Sequence, residues 1–340
     1  MKVNLKGVIS VKQVKRINDE LMMVTLKNDF LEVVLLNKGA SIFKLIFNGI
    51  DVVIGPKVIE DFIKDDHYYG KTIGRVSGRL FCSGFEIEGT KIYPKPYKSE
   101  TTTIHGGANG FSTRYFNYVE SNENTVIFEI HSKSVDDGLP GDVNLRVTYT
   151  LEDNILHMDY EGDTTETTLM NITNHAYFNL DNSHDILDHI IKVHSSKYVK
   201  FEDDFSVSGI AEVTETPFDL REPIALKEPI SKLMNTPFKG LDTIFLLDQG
   251  LASLYSPKSL IGMTLKSTYP SLVVYTHNSY SPDKIPYYKS NPYKGVALEF
   301  EYEPGGIHYS FLNSGILNKN QKYQHKTSYA FFYDPFKTKA

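Results

Sequence analysis

A few short segments of the sequence place titratable side chains among small or turn-forming neighbours. They read GRVSGR at residues 74–79, TIHGG at 103–107, TNHAYFN at 173–179 and LEFE at 298–301. Arginine, histidine and glutamate held beside backbone in this way can bind polar ligands or exchange protons with them. Each segment alone is also typical of an ordinary turn or of the solvent face of a strand. The residue types therefore indicate acid–base chemistry without naming a reaction.

The elements that carry these segments are predicted to be β-strands. Apolar and polar residues alternate over 143–151, and after turn residues at 152–154 the alternation resumes over 156–160, which predicts a hairpin. Other short β-branched or aromatic runs lie at 31–35, 41–45, 126–130, 272–276 and 296–302. Only residues 229–234 favour a helical turn or two. The pattern predicts one all-β domain over residues 1–340, a large antiparallel sandwich with few short helices.

Composition excludes several classes of partner. The 340 residues carry a net charge of −6, and the Lys and Arg residues are dispersed, so a nucleic-acid partner is not expected. No apolar run approaches the ~20 residues that span a bilayer, and the amino terminus lacks the apolar core of a signal peptide, so no membrane partner is expected either. The single Cys82, interpreted as a packing residue, excludes an intramolecular disulfide. These features predict a cytoplasmic protein.

Taken together, the segments resemble the aldose 1-epimerase (galactose mutarotase) family, in the same order and at similar spacing across nearly the whole chain. IHGG at 104–107 resembles the Leu-His-Gly-Gly signature of that family, and NITNHAYFNL at 171–180 is similar to its second histidine motif almost letter for letter. Further similar segments are TPFDLR at 216–221, KGLD at 239–242, VYTHN at 274–278 and GVALE at 295–299. The resemblance implies a β-supersandwich with a shallow sugar cleft, and interconversion of the α and β anomers of free aldohexoses such as galactose or glucose. It implies no cofactor and no metal.

The resemblance also implies a role for each candidate residue. Glu299 would be the general base and His175 the general acid, while Arg79, His105 and Asp242 would hold and polarise the sugar. Mutarotation needs such a pair, because the C1 hydroxyl must lose a proton while the ring oxygen gains one. A histidine can donate at neutral pH if nearby carboxylates raise its pKa, whereas a glutamate starts ionised.

Some positions depart from the commonest pattern of the family. Gly78 stands where many members carry Asn, Val273 where Gln is frequent, and Thr243 where His is frequent. The segment DGLPG at 137–141 lacks an aromatic residue often found before the proline. These changes bear on which sugar hydroxyls are recognised, and they leave the acid and the base in place. His277 is interpreted as a structural histidine, and the loop at 281–292 as a possible border of the site.

Other functions remain open on the sequence alone. His105, His175 and Glu299 could form a two-histidine, one-carboxylate metal site, and Glu299 with Asp242 could be the carboxylate pair of a glycoside hydrolase. A non-catalytic sugar-binding protein is a third alternative. Within the epimerases, the substrate could be a disaccharide such as maltose or a phosphorylated hexose. The expected partner is a small-molecule sugar; a monomer is expected, with a homodimer as the alternative.

Overall fold

The computed structural model describes residues 10–279 and 288–334, and these residues are mostly β-strand. The first strands are β1 (Val11–Arg16), β2 (Met22–Lys27), β3 (Leu31–Leu36), β4 (Ser41–Phe47), β5 (Ile50–Asp51), β6 (Thr72–Ile73), β7 (Arg79–Phe81), β8 (Phe85–Ile87), β9 (Thr90–Ile92), β10 (Thr102–Ile104), β11 (Asn117–Val119), β12 (Thr125–Ser132), β13 (Val143–Glu152) and β14 (Ile155–Thr164). The others are β15 (Thr168–Leu169), β16 (Thr173–Asn174), β17 (Tyr177–Phe178), β18 (Ile190–Val193), β19 (Lys197–Phe201), β20 (Val207–Glu212), β21 (Ile224–Ala225), β22 (Asp242–Leu246), β23 (Leu251–Tyr255), β24 (Ile261–Ser267), β25 (Ser271–Tyr275), β26 (Val296–Glu301), β27 (Ile316–Leu317) and β28 (Tyr323–Tyr333).

Helices are few and short, as the sequence predicts. They are α1 (Ile59–Lys64), α2 (Ser134–Asp137) and α3 (Lys227–Leu233), with 3₁₀ turns at Phe111–Thr113 and Gly306–His308. The helical turn predicted at 229–234 is α3, which begins two residues earlier and places Pro229 in its first turn, where its missing N–H costs no hydrogen bond. No helix among residues 10–279 and 288–334 combines the length and apolar character that crossing a bilayer requires.

Three antiparallel sheets make up most of the structure. The large sheet has the order β11-β12-β13-β14-β28-β24-β23-β18-β21, and a five-stranded meander runs from β1 to β5. The third sheet, called the site sheet below, has the order β17-β26-β25-β22-β19-β20. The all-β prediction is therefore confirmed. So is the predicted hairpin, because β13 and β14 pair with Leu151 opposite Leu156.

The core lies between the sheets and follows from the alternation of side chains along each strand. On β13 the residues from Val143 to Leu151 that alternate inward are buried, while Asn144 and Arg146 are exposed. The site sheet differs because both of its faces are covered. On β26, Leu298 and Phe300 belong to the main apolar core, whereas Glu299 and Glu301 on the opposite face are also buried. Loops from other parts of the chain cover that second face and form the candidate site.

Candidate active site

The strand pairing of the site sheet puts two of the candidate residues on one face. Glu299 pairs directly with Val273, and Asp242 pairs with Tyr275, which lies two residues along the same strand. Directly paired residues, and residues two apart in a strand, point to the same side of a sheet. Glu299 and Asp242 therefore share one face, with strand β25 between them.

His175 reaches Glu299 from the segment between β16 and β17. Its Nε2 atom lies 3.5 Å from Oε1 of Glu299, and both side chains are almost completely buried. The backbone fixes this position at both ends: the His175 N–H donates to the Lys71 carbonyl over 2.9 Å, and the His175 carbonyl accepts from the Gly70 N–H over 3.0 Å. The segment is thus clamped against residues 70–71 before its side chain makes any contact.

His105 completes a pair of histidine rings. The centroids of His105 and His175 lie 5.2 Å apart, with the rings almost perpendicular. His105 has the left-handed φ of 53°, and its Nδ1 accepts a hydrogen bond of 3.2 Å from the Gly78 N–H. The ring proton is therefore assigned to Nε2, which can donate to a ligand. Gly106 must be glycine, because a Cβ there would lie 1.9 Å from the Gly74 carbonyl oxygen.

Arg79 begins β7 and packs against an aromatic ring that the sequence did not single out. Its guanidinium carbon lies 4.2 Å from the ring centroid of Phe205, within cation–π distance. Asp242 is near enough for electrostatic interaction, since Arg79 opposes the rise in the pKa of the Asp242 carboxyl that burial causes. The structure thus brings Arg79, His105, His175, Asp242 and Glu299 into one cleft.

Burial dominates the charge states in this cleft. It raises the pKa of Glu299 well above its usual range, with a smaller contribution from the carboxylate of Asp242. Burial also lowers the pKa of His175 to about 3 and that of His105 well below 6.5. The condition stated from the sequence, that nearby carboxylates raise the pKa of His175, is therefore not met, because removal of the ring from water lowers that pKa. Burial therefore disfavours the charged forms of both histidines and of Glu299.

Polar atoms without partners mark the place for a ligand. Within the described part of the chain, neither Oε2 of Glu299 nor Nδ1 of His175 has a hydrogen-bond partner, although both atoms are buried. Buried polar atoms are normally paired, so an unpaired carboxylate oxygen and an unpaired imidazole nitrogen on two neighbouring side chains call for an explanation. A polar ligand in the cleft supplies one, because its hydroxyl groups can both donate and accept.

Glu301 is a buried acid that sequence reasoning did not assign. Its Oε2 accepts a short hydrogen bond from the Ser77 hydroxyl and a 3.3 Å bond from the Asn171 amide. The same Asn171 side chain bonds both backbone groups of Tyr302, at 3.0 and 2.9 Å. This network ties the loop before Arg79 to the strand of Glu299. The only sequence signal was the second glutamate of LEFE, a pattern that also fits a solvent-facing strand.

Two of the family departures have a visible physical setting. At Gly78 φ is +71°, and a Cβ would lie 2.2 Å from Cβ of Pro304, so no asparagine fits there without moving the backbone. Val273 pairs directly with Glu299 and belongs to a small apolar cluster with Ile244 and Val199.

His277 is buried, and its Nε2 lies 2.8 Å from the hydroxyl of Tyr69, which fits its interpretation as a structural histidine. The loop at 281–292 is described only from residue 288, so residues 281–287 lie outside the described residues.

The geometry does not support the two-histidine, one-carboxylate metal site. In the portion of the chain that the structure describes, the only trio with ligand atoms all within 4.8 Å of one another is Asp65, Asp66 and His67. His105, His175 and Glu299 do not meet that distance criterion.

Comparisons with known proteins agree with the resemblance noted in the sequence. The chain is 29% identical over 326 residues to the galactose mutarotase of Rattus norvegicus, covering 90% of this chain and 92% of that protein. It is 29% identical over 294 residues to the aldose 1-epimerase of Haemophilus influenzae, covering 83% and 85%. A crystal structure of a GalM/aldose epimerase homologue from C. elegans has a TM-score of 0.82 and 27% identity, covering 96% of this chain and 99% of that one. The profile of the family described as Aldose 1-epimerase matches residues 22–330, and the chain therefore belongs to the aldose 1-epimerase family, a family of isomerases.

Proposed function

We propose that this protein interconverts the α and β anomers of free aldohexoses such as galactose and glucose, with Glu299 and His175 as the acid–base pair. The observation that carries the proposal is the distance of 3.5 Å between these two buried side chains. Oε2 of Glu299 and Nδ1 of His175 also have no hydrogen-bond partner among the described residues. Ring opening at an anomeric carbon requires one group that accepts a proton and another that donates one. The pair offers both within the width of one sugar ring.

Glu299 and His175 can exchange a proton with each other, and this suits a reaction that must run in both directions. In this proposal the pair shares one exchangeable proton, and burial, which raises the pKa of Glu299, favours that proton on the Glu299 carboxyl. Transfer of that proton to His175 creates a carboxylate and an imidazolium, the charged form that a sugar with several hydroxyl groups can solvate. The distance of 3.5 Å is slightly long for a direct hydrogen bond, and unliganded catalytic sites are often loose in this way.

The reaction then follows in balanced steps. The Glu299 carboxylate takes the proton of the C1 hydroxyl, the bond between C1 and the ring oxygen O5 breaks, and His175 gives its proton to O5. The open aldehyde turns about the bond from C1 to C2. The C5 hydroxyl then attacks the other face of C1, returning its proton to His175 while Glu299 protonates the new C1 oxygen. Each group ends as it began, so no cofactor is consumed.

The other cleft residues are suited to orienting the sugar. The Nε2–H of neutral His105 can donate to O5 or a neighbouring hydroxyl without placing a second positive charge beside His175. Arg79 offers several N–H donors in a plane that Phe205 holds from one side. Asp242 can accept from hydroxyls further along the ring. Orientation of this kind lowers the barrier because the reacting atoms are held close before the proton moves.

The simplest test is to add purified protein to freshly dissolved α-D-galactose, and separately to α-D-glucose, with a chelator present. Optical rotation is followed to equilibrium against a protein-free blank. We expect faster approach to the same final rotation on at least one sugar. If both curves match their blanks the proposed function is wrong, and if acceleration appears only without chelator a metal-dependent reaction replaces it.

We further propose that the protein acts as a monomer in the cytoplasm. All the cleft side chains named above come from one chain, and the only cysteine, Cys82, forms no disulfide. Light scattering after gel filtration tests the first point, and fractionation of cells tests the second. A stable dimer, or recovery outside the cytoplasm, would contradict the respective proposal.

A further inference from the structure

An aromatic cluster borders the cleft on the side of Asp242. The rings of Phe205 and Phe238 lie 5.0 Å apart, and the ring of Phe201 lies 6.4 Å from Phe238 and 6.5 Å from Phe205. All three side chains are partly exposed. We refer to Phe201, Phe205 and Phe238 as the aromatic platform. Exposed aromatic rings that adjoin one another next to a polar cleft are a common mark of a binding surface.

The platform is continuous with the cleft. Phe205 contacts Arg79 of the cleft, and a hollow of about 90 Å³ at the edge of the site sheet is lined by Phe201, Phe238 and Asp242 together with residues of the main core such as Phe218 and Leu233. This volume is far below the ~300–1,000 Å³ of pockets that enclose a ligand. The platform is therefore an open surface, on which the rings of Phe205 and Phe238 stand at 84° to each other.

The order of strands in the site sheet determines the distance between the aromatic platform and Glu299. Glu299 is on β26, Asp242 is two strands away on β22, and Phe201 is on β19, the next strand. At roughly 4.8 Å per strand, β19 lies about 14 Å from β26. Phe201 packs with the cluster of Val199, Ile244 and Val273 on the same side of the sheet as Glu299. One pyranose ring held at Glu299 cannot reach that far, whereas two linked rings can.

Charge near the platform favours a neutral ligand. The exposed residues Glu202, Asp203 and Asp204 directly precede Phe205, and they are balanced by the exposed Lys200 and Lys239 and by the guanidinium of Arg79 on the Phe205 ring. These charges leave no excess positive charge to bind a phosphorylated sugar. The faces of a pyranose ring that carry C–H groups are apolar, and they stack on aromatic rings without needing a charged partner.

We propose that the aromatic platform binds the second ring of a neutral reducing disaccharide, while its reducing ring lies against Glu299 and His175. The inference rests on the proposed function, because it assumes that the reacting C1 lies at Glu299. It extends that function by assigning a second sugar site to Phe201, Phe205 and Phe238, with stacking as the means of recognition.

The test compares disaccharides with monosaccharides in one platform variant. Phe238 is chosen because its ring contacts Phe205 and Phe201 and has no described contact with Arg79. Rates of anomer exchange are measured by NMR for maltose and lactose, and for glucose and galactose, with wild type and Phe238→Ala. We expect the ratio of kcat/KM for disaccharide to kcat/KM for monosaccharide to fall about threefold to tenfold, the range that loss of an aromatic contact produces.

Phe30→Ala is the matched control. Phe30 is 46% exposed and lies in the turn between β2 and β3, away from the site sheet. It should leave the ratio unchanged. An unchanged ratio in Phe238→Ala overturns the platform, and so does faster exchange of a hexose phosphate than of either disaccharide. Melting curves establish that each variant is folded, and Phe238→Leu, which keeps the apolar bulk without the ring, replaces Phe238→Ala if that variant unfolds.

A separate binding measurement distinguishes failure of the platform from failure of the proposed function. Titration calorimetry with maltose and glucose needs no turnover. If the wild type exchanges no anomers but binds maltose more tightly than Phe238→Ala does, the proposed function fails and the platform stands. If monosaccharide anomers exchange while maltose binds both proteins equally, the platform fails and the proposed function stands.

Discussion

Replacing Gly78 by alanine tests whether the backbone beside Arg79 is as tightly constrained as the structure indicates. The residue has φ of +71°, and a Cβ would meet Pro304 at 2.2 Å from Cβ, 2.8 Å from Cγ and 3.0 Å from Cα. The left-handed conformation costs a non-glycine residue about 1–2 kcal/mol. Forcing an extra methyl group against a proline ring adds about 1–3 kcal/mol. We therefore expect Gly78→Ala to lower the free energy of unfolding by about 2–5 kcal/mol.

Gly49→Ala separates the two contributions. Gly49 has a similar φ of +77°, but no atom lies within 4 Å of the position its Cβ would take. This control should lose only the conformational part, about 1–2 kcal/mol. Urea unfolding followed by circular dichroism measures both variants. If they lose the same free energy, Pro304 does not restrict Gly78 and the physical reason given for the missing asparagine is wrong.

The same variant should also affect catalysis. The Gly78 N–H donates to Nδ1 of His105, and Arg79 follows directly in the chain. A backbone shift that relieves the contact with Pro304 would move both groups, so kcat/KM should fall in Gly78→Ala. Gly49→Ala, in the turn between β4 and β5, should keep wild-type kcat/KM, and a similar loss in both variants would indicate a general effect of instability.

Three further predictions address charge and orientation in the cleft. Burial raises the pKa of Glu301 in the folded protein. The stability that the protonated side chain contributes is therefore fully present below the ordinary pKa of glutamate, and it is lost as pH rises toward the raised pKa of the folded state. Glu301→Gln should therefore gain stability over wild type in urea unfolding as pH rises above the ordinary glutamate pKa of about 4.3, by up to about 1.4 kcal/mol per pH unit, and a constant difference would contradict the raised pKa. His175→Asn should lower kcat by about 10²–10⁴ with a smaller change in sugar affinity measured by calorimetry, while normal turnover would move the acid role to His105. Arg79→Lys should raise KM severalfold in the exchange assay, because an ammonium cannot keep both the stacking on Phe205 and the planar set of donors; an unchanged KM would remove Arg79 from the sugar contacts.

The sequence predicts the long, one-sided elements of the fold well. Strands β13 and β14 have one face in the core and one in water. Apolar and polar residues therefore alternate clearly in their sequence, and their pairing as a hairpin can be predicted from it. The short pairs are a different case. Strands β6, β16 and β17 have two residues each: β6 and β16 pair only with each other, and β17 is the short edge strand of the site sheet beside β26. Two residues cannot show a period, so only tertiary contacts define such strands.

The candidate site could be located from its motifs, but its electrostatics could not. The five side chains expected to act together do meet in one cleft. The direction of the His175 pKa shift could not be inferred, because sequence spacing does not reveal how completely the ring is removed from water. Glu301 was passed over for a similar reason, since a second glutamate two residues along a strand usually faces solvent. The platform joins residues 201, 205 and 238 through loop packing that no local pattern encodes.

The most direct test of the acid–base pair compares the same substitution at two positions of strand β26. Glu299→Gln and Glu301→Gln each replace a buried carboxyl by an amide of equal shape, two residues apart on one face. Anomer exchange of galactose and glucose is measured by NMR for both variants and for wild type. We predict that Glu299→Gln loses exchange by about 10²–10⁴ because the amide cannot accept the C1 hydroxyl proton, whereas Glu301→Gln, which resembles the protonated acid, loses less than about tenfold. Exchange near the wild-type rate in Glu299→Gln would contradict the account, and so would an equal loss in both variants.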